Sequence, residues 1–372
     1  MDHLRPTTAT IDLAQLGANL RTVRQHLAPG TKVLAAVKGD AYGHGALACA
    51  TALAEAGADW FGVALVEEGR SLRQGGVTRP ILCMGGAGPR GSAEAIAQNL
   101  TPLVSHLDEA YALEAAASAA ETVVDIHAKV DTGMGRLGVP VHLWPHFLDR
   151  TADLPHIRIT GMASHLSQSE SAAGTIHTHE QVRRFKEAVD VARARGLEPS
   201  LTHIANSGAI IQHPETALDM VRPGLLLYGY DPDSPRPRIP VRPVMSVQTQ
   251  VLIVRDLPAG VGVSYGADFV TTRASRIATL PVGYADGYPR ALSGKASVLI
   301  NGHRAPIRGR VCMDMCMIDV TDLPFDVHPG DLVTLLGQSE GASIDAWDLA
   351  SWAGTIPYEI LTGFSERIPR VS

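Results

Sequence analysis

Residues 32–65 read KVLAAVKGDAYGHGALACATALAEAGADWFGVAL. A strand-sized apolar run, Val33–Val37, is followed by an Ala-rich helical pattern over Ala46–Ala56 and a second apolar run, Trp60–Leu65. Strand, helix, strand in about thirty residues is the repeating unit of a parallel sheet. The unit recurs down the chain. Ile81–Met84 precedes a helix near Ala93–Asn99, and Thr101–His106 precedes Asp108–Ala120, where Asp108 is the expected N-cap. Thr122–Val130 precedes His142–Arg150. Ile157–His165 precedes a long helix over His177–Arg195, in which Val182, Phe185, Val189 and Ala192 share one apolar face. Leu201–Ala205 and a weak helix near Gly208–His213 lead to the eighth run, Met220–Tyr228. Eight such runs separated by helices predict an α/β fold, a (β/α)8 TIM-type barrel, with an open doubly wound sheet as the runner-up.

The texture changes at Asp231–Pro243, DPDSPRPRIPVRP, which reads as a Pro-rich linker. Beyond it, Ser246–Val254, Arg276–Val282, Ala296–Ile300, Ala305–Arg310, Met315–Val320 and Asp331–Leu336 are short strand-like pieces split by Gly, Pro and Asp. Two domains are expected: a barrel over residues 1–235 and a mostly β domain over 236–372. The composition allows this, because 45% hydrophobic residues in 372 supply a sizeable core. Thirty-six glycines and 24 prolines are about 16% of the chain against an average of about 12%, pointing to many tight connections. A net charge of −6 argues against nucleic-acid binding through bulk charge.

The start, MDHLRPTTATIDLAQLG, has no basic segment followed by an apolar block, and no apolar run approaches membrane-spanning length. Cys49, Cys83, Cys312 and Cys316 are sparse and irregularly spaced, as buried thiols of a reducing cytoplasm would be. A cytoplasmic protein is expected. His177 and His179 lie two apart with no third ligand nearby in sequence, so a solvated pair is expected and no metal.

G-x-G-x-x-G occurs twice, at Gly86, Gly88 and Gly91 and at Gly133, Gly135 and Gly138. A dinucleotide fold uses one such loop, on its first strand, so the duplication weakens both. The first set reads as a tight barrel loop. The second carries Arg136 and reads as a substrate-facing turn. Barrel chemistry sits at the C-terminal strand ends. Taken in order, these ends present Lys38, Arg136, His165, Asn206 and Ser207, then Arg222 and Gly224. Lys38 ends an apolar run, where desolvation favours the neutral amine that a Schiff base needs. Ser207 and Gly224 follow strands seven and eight, where barrels often bind phosphate. A lysine and a phosphate site on one rim suggest pyridoxal 5′-phosphate (PLP).

Several ordered motifs resemble those of the alanine racemases. Ala36-Val37-Lys38-Gly39-Asp40-Ala41-Tyr42-Gly43-His44-Gly45 is similar to the family's PLP-lysine signature. Lys129-Val130-Asp131-Thr132-Gly133-Met134-Gly135-Arg136 resembles its loop after strand five, and His203–Ser207 and Met220–Gly224 its strand seven and eight motifs. Val263–Gly266, Val282–Gly287, Gly309–Met315 and Thr355–Glu359 match in the second domain. Two departures stand out. Gly39 replaces the usual Ala, and His165-Leu-Ser-Gln-Ser-Glu170 differs from the commoner acidic and Ala-rich version.

The resemblance implies a PLP-dependent enzyme that interconverts L- and D-alanine, supplying peptidoglycan precursor or serving alanine catabolism. A broader racemase acting on serine, lysine or arginine is the alternative. A decarboxylase, a non-catalytic PLP carrier and a dinucleotide oxidoreductase rank lower. Lys38 is implied as Schiff-base lysine and first base, and Tyr265, reaching over from the partner in a homodimer, as second base. Arg222 is implied at the pyridine nitrogen, and His165 as the link from Arg222 to Tyr265. Tyr42, Ser207, Gly224 and Tyr358 are implied phosphate ligands. Arg136 and the Met313 backbone hold the PLP phenolic oxygen and the substrate carboxylate, and Tyr284 walls the entrance. Lys129 occupies the position that some members carbamylate. Arg290 and Arg310 are expected to steer the anionic substrate inward.

Overall fold

The computed structural model describes residues 4–372; Met1–His3, where the reading for a leader begins, lie outside the described residues. The chain divides into two compact units. The larger comprises Leu16–Ala41 and Ala46–Arg242. Its eight strands are Lys32–Ala36, Trp60–Val63, Ile81–Cys83, Thr101–Val104, Val124–Asp131, Ile157–Ala163, Leu201–His203 and Met220–Val221. The first seven pair in parallel in chain order, and Met220 and Val221 return to Lys32 and Val33. The Arg222 amide donates to the Ala205 carbonyl at 2.9 Å and joins the last two strands. The sheet therefore closes into a barrel with helices between its strands.

Leu34, Leu82, Leu103, Ala163, Leu201 and Met220 fill the interior, with Trp60 and Met84 packed against them. The period of two places chemistry in that interior. On Val124–Asp131, Val124, Ile126, Ala128 and Val130 point to one side, whereas Asp125, His127, Lys129 and Asp131 point to the other. The His127 ring lies 5.3 Å from Trp60 and 5.0 Å from His203, inside the barrel. Gly161 makes room for it, since a Cβ there would come within 2.5 Å of the imidazole.

The second unit holds Pro243–Ser372, Tyr42–Gly45 and the described residues up to Gln15. Its main sheet runs His303–Pro306, Ser297–Ile300, Leu332–Ser339, Met245–Gln250, Thr8–Ile11, Arg370–Val371. A three-stranded sheet, Ile253–Leu257, Ser275–Leu280 and Cys316–Asp319, and helices Ala346–Ala353 and Pro357–Gly363 complete it.

Several expectations shift. The first strand, Thr8–Ile11, pairs antiparallel with Met245–Gln250 and parallel with Arg370–Val371. It belongs with the β unit, and the division falls at Arg242/Pro243 instead of 235/236. The eighth run is a strand only over Met220–Val221. Pro223 has no N–H for a ladder, and Leu225–Tyr228 winds into a 3-10 turn. The helix expected from Asp108 starts at Leu107, with His106 as N-cap, its Nδ1 accepting from the Glu109 amide at 3.3 Å. Gly133–Gly138 leads into a short strand, Val139–Pro140, and the helix expected over His142–Arg150 runs over Trp144–Ala152. Among the described residues no helix is long and apolar enough to cross a membrane.

Candidate active site

Lys38 stands half-buried where the first barrel strand ends. It opens a helical turn, Lys38–Gly43, whose next five residues all have positive φ: Gly39 61°, Asp40 51°, Ala41 54°, Tyr42 54° and Gly43 80°. The turn is thus wound left-handed, which costs an L-residue about 1–2 kcal/mol each. Gly39 avoids that cost, which gives its departure from the family's usual Ala a physical basis. Local hydrogen bonds hold the strained turn. The Glu68 carboxylate accepts from the amides of Gly39 (2.7 Å), Ala64 (2.7 Å) and Leu65 (3.1 Å), and Asp40 accepts from Ala46 at 2.7 Å. Burial, with help from the Arg136 and Arg222 charges and against Glu68, lowers the pKa of Lys38.

Arg222 is buried at the end of strand eight, and among the described residues every hydrogen-bond partner of its guanidinium is neutral. It donates to His203 Nδ1 at 2.6 Å, to the carbonyls of Ser164 (2.7 Å) and Ile204 (3.3 Å), and to His165 Nδ1 at 3.2 Å. Burial pushes Arg222 down to about 10, far above neutrality, so it remains a cation and only donates. That fixes the tautomers. His203 accepts at Nδ1, so its proton sits on Nε2 and is donated to His127 Nδ1 at 2.8 Å. His127 then carries its proton on Nε2, which has no hydrogen-bond partner. His165 likewise accepts at Nδ1 and keeps Nε2–H to offer elsewhere. Burial and the Arg222 charge hold all three rings neutral, with His127 pushed down to about 3.

Ser207 opens the helix Ser207–Gln212, capped by the Asn206 side chain accepting from Ala209 at 2.9 Å. Its Oγ accepts from the Gly224 amide at 2.9 Å and leaves the hydroxyl proton to donate. The Asp131 carboxylate gathers the amides of Gly133 (3.0 Å), Met134 (2.9 Å) and Gly135 (3.0 Å), folding the loop that presents the exposed Arg136. Gly133 and Gly135 thus help the loop wrap the Asp131 carboxylate. Lys129 is buried. Desolvation, then the Arg222 and Arg136 charges, bring its pKa down to about 8, opposed by Asp131.

The remaining expected residues belong to the second unit. Tyr265 is 72% exposed on a turn whose preceding residue, Ser264, has φ 68° and ψ −177°. That region is essentially reserved for glycine. The Ser264 hydroxyl donates to the Arg310 carbonyl at 2.8 Å, and Arg310 pairs with Asp268 beyond the turn. Arg310, expected to steer substrate, is also bonded to this turn. Tyr265 and Met313 line an open cleft of about 780 Å³ with Val263, Cys312, Met315 and Met317. The loop bearing Met313 is bonded to the Tyr284 segment, Tyr284 N to Cys312 O and Ala285 N to Met313 O, both 3.0 Å. Gly283 permits this approach, because a Cβ there would lie 2.2 Å from the Cys312 oxygen. Tyr42 packs on Tyr358 with ring centroids 6.0 Å apart.

Sequence reasoning did not single out His127, His203 or Glu68 for a role. His127 was accessible, being two residues before Lys129 on one strand face. Glu68 carried a signal too, as an acidic residue in the first turn of a helix after a strand.

The family model described as alanine racemase, N-terminal domain, matches residues 11–232, and that described as alanine racemase, C-terminal domain, matches residues 244–372. An alanine racemase of Halothermothrix orenii is 42% identical over 98% of this chain and 96% of its own length. Two solved structures share the fold. The alanine racemase of Bacillus anthracis with bound L-Ala-P has a TM-score of 0.93 and 32% identity, covering 100% of this chain and 96% of that one. The alanine racemase of Bartonella henselae with covalently bound pyridoxal phosphate has a TM-score of 0.89 and 34% identity, covering 98% and 99%. With both units matched end to end, the chain belongs to the alanine racemase family.

Proposed function

We infer that this chain interconverts L-alanine and D-alanine with PLP as cofactor, and we propose that Lys38 and Tyr265 are its two bases. The observation that carries the residue assignment is Arg222, a buried cation among neutral partners, on the same barrel rim as a lysine whose pKa is lowered. Those residues fit PLP: an amine able to be neutral, a donor-only guanidinium, and a serine hydroxyl beside backbone amides for a phosphate. When bound, PLP withdraws electrons from the substrate Cα and makes its proton removable.

The chain's residues do the rest. Lys38 Nζ holds the cofactor and moves a proton on one face of Cα. Tyr265 Oη moves a proton on the other, since a single fixed base would tend to return it to the face it left. Arg222 donates to the pyridine nitrogen and keeps it unprotonated, which weakens the electron sink and restrains transamination. His165, its Nδ1 occupied by Arg222, is oriented with Nε2–H toward Tyr265. Ser207, Gly224, Tyr42 and Tyr358 bind the phosphate. Arg136 and the Met313 amide bind the phenolic oxygen and the substrate carboxylate, and Tyr284 narrows the entrance. Lys129 is carbamylated. A pKa near 8 supplies the free amine, and an anion at that position would offset Arg136 and Arg222.

Tyr265, Tyr284, Met313 and Met315 are each more than 40% exposed in one chain. Such apolar exposure supports a homodimer in which Tyr265 serves the partner's barrel. None of the four cysteines forms a disulfide, which suits the cytoplasm. Borohydride reduction followed by peptide mapping tests the cofactor link, and chiral chromatography over a substrate panel tests the reaction. A reduced adduct on Lys38, with alanine inverted far faster than serine, lysine or arginine, is expected. An adduct elsewhere, or a reversed substrate ranking, overturns the reading.

A further inference from the structure

Helix Thr175–Arg193 carries His177 and His179, two residues apart and so on different sides of the helix. His177 faces the Gly133 loop, its Cε1 3.6 Å from where a Gly133 Cβ would stand. His179 faces the segment that follows helix Ser207–Gln212, and there meets His213 and Glu215. We propose that His179, His213 and Glu215 form a binding site for a divalent transition-metal ion of the zinc class.

The geometry carries this. His179 Nε2 lies 3.4 Å from Glu215 Oε1, and His213 Nδ1 lies 3.6 Å from the same oxygen. Ligands about 2.0–2.1 Å from a tetrahedral zinc are separated by about 3.3–3.4 Å, so two edges of the polyhedron are already formed. One ligand atom from each residue lies within 4.8 Å of the others, and the third edge would close by movement of the exposed His179 ring. The two imidazoles meet edge to face, at 78° with centroids 5.7 Å apart, as rings converging on one point do. Two imidazoles and one carboxylate select zinc-like ions over calcium or magnesium, which want oxygen donors. His213 is buried, and its Nε2 has no hydrogen-bond partner. A metal at Nδ1 would hold the proton on Nε2, whereas without metal the Glu215 carboxylate, 3.6 Å from Nδ1, favours the opposite tautomer, so binding must displace that proton. His179 and Glu215 are 58% and 49% exposed, so ions enter from solvent and the fourth position stays open to water. Two cations, Arg183 and Lys186, line the same hollow; the charge of Arg183 is offset by its pairing with Glu180 and Glu187.

A bound ion would tie the long helix to the segment behind the helix that begins at Ser207, inside the barrel unit. The test is calorimetric titration of the substrate-free holoenzyme with Zn²⁺, alongside thermal unfolding. His179→Ala and Glu215→Gln alter exposed ligands, and His177→Ala controls for chance histidine binding. The wild type and His177→Ala are expected to bind one equivalent per chain and to rise in Tm with Zn²⁺. His179→Ala and Glu215→Gln are expected to lose about tenfold or more in affinity. Equal affinity in His179→Ala, or no binding by the wild type up to about 1 mM, overturns the proposal.

Discussion

The barrel mouth and the Tyr265 turn handle their functional groups in opposite ways. At the mouth, charged groups are taken out of water and tuned against one another: Lys38, Lys129 and Arg222 are all shifted toward neutrality, chiefly by burial. On the second unit, Tyr265, Tyr284 and Met313 stand largely in solvent, and backbone geometry and ion pairs hold their loops. A barrel can set proton affinities by itself. The exposed phenol of Tyr265 has no comparable enclosure within its own unit. The difference accords with the proposal that Tyr265 serves the barrel of another chain.

The largest effects test that division. Lys38→Ala and Tyr265→Phe should each lower racemisation by about 10²–10⁴-fold. Mixing the two inactive variants under conditions of subunit exchange should restore about a quarter of wild-type turnover, since half the pairs are mixed and each holds one intact site of two. If the mixture shows only the sum of the variants, both bases come from one chain and the contrast between the units loses its meaning.

Arg222→Glu alters the tuned half alone. A carboxylate at the pyridine nitrogen retains a proton there and strengthens the electron sink. Racemisation should fall, and keto acid formed per racemisation event should rise by about tenfold or more. An unchanged ratio would sink the assigned role. The pH dependence of stability probes the same half more gently. His127, His165 and His203 have folded pKa values below that of free imidazole, so unfolding below pH ~6.5 lets each bind a proton. Their stabilising contribution is present above that pH and lost as pH falls, by up to about 1.4 kcal/mol per group per pH unit. Urea midpoints should drop from pH 7 to pH 5. Hydrogen exchange at the lower pH should open Val124–Asp131 and Leu201–His203 before the sheet built on Met245–Gln250. Simultaneous opening would show that the buried imidazoles are not what acid attacks.

The alternation of apolar runs and helices was enough to read the barrel, because each βα unit is local. Thr8–Ile11 was not readable in that way. It pairs with Arg370–Val371 some 360 residues on, and nothing local in TATI distinguishes a β-unit strand from a barrel strand. The proposed bases and ligands rest on motif resemblance. The relay behind them was not, since a lone interior histidine such as His127 gives no sequence sign that it meets His203 and, through it, Arg222. His213 and Glu215 escaped for the same reason, being 34 and 36 residues from His179, and together only in space.

The smallest effect compares strain in the two regions. Gly39, at φ 61°, lets the barrel's left-handed turn form without side-chain cost, whereas Ser264, at φ 68°, holds the turn before Tyr265 in a conformation that costs its Cβ about 1–3 kcal/mol. Gly39→Ala should therefore destabilise by about 1–2 kcal/mol, read as a lower urea midpoint with the cofactor still attached at Lys38. Ser264→Gly should change stability by less, because relief of strain offsets loss of the bond to the Arg310 carbonyl, but it should lower kcat by freeing Tyr265. If Ser264→Gly stabilises the protein and leaves kcat intact, the strain before Tyr265 does not serve to aim it, and the exposed half-site is positioned by whatever covers it.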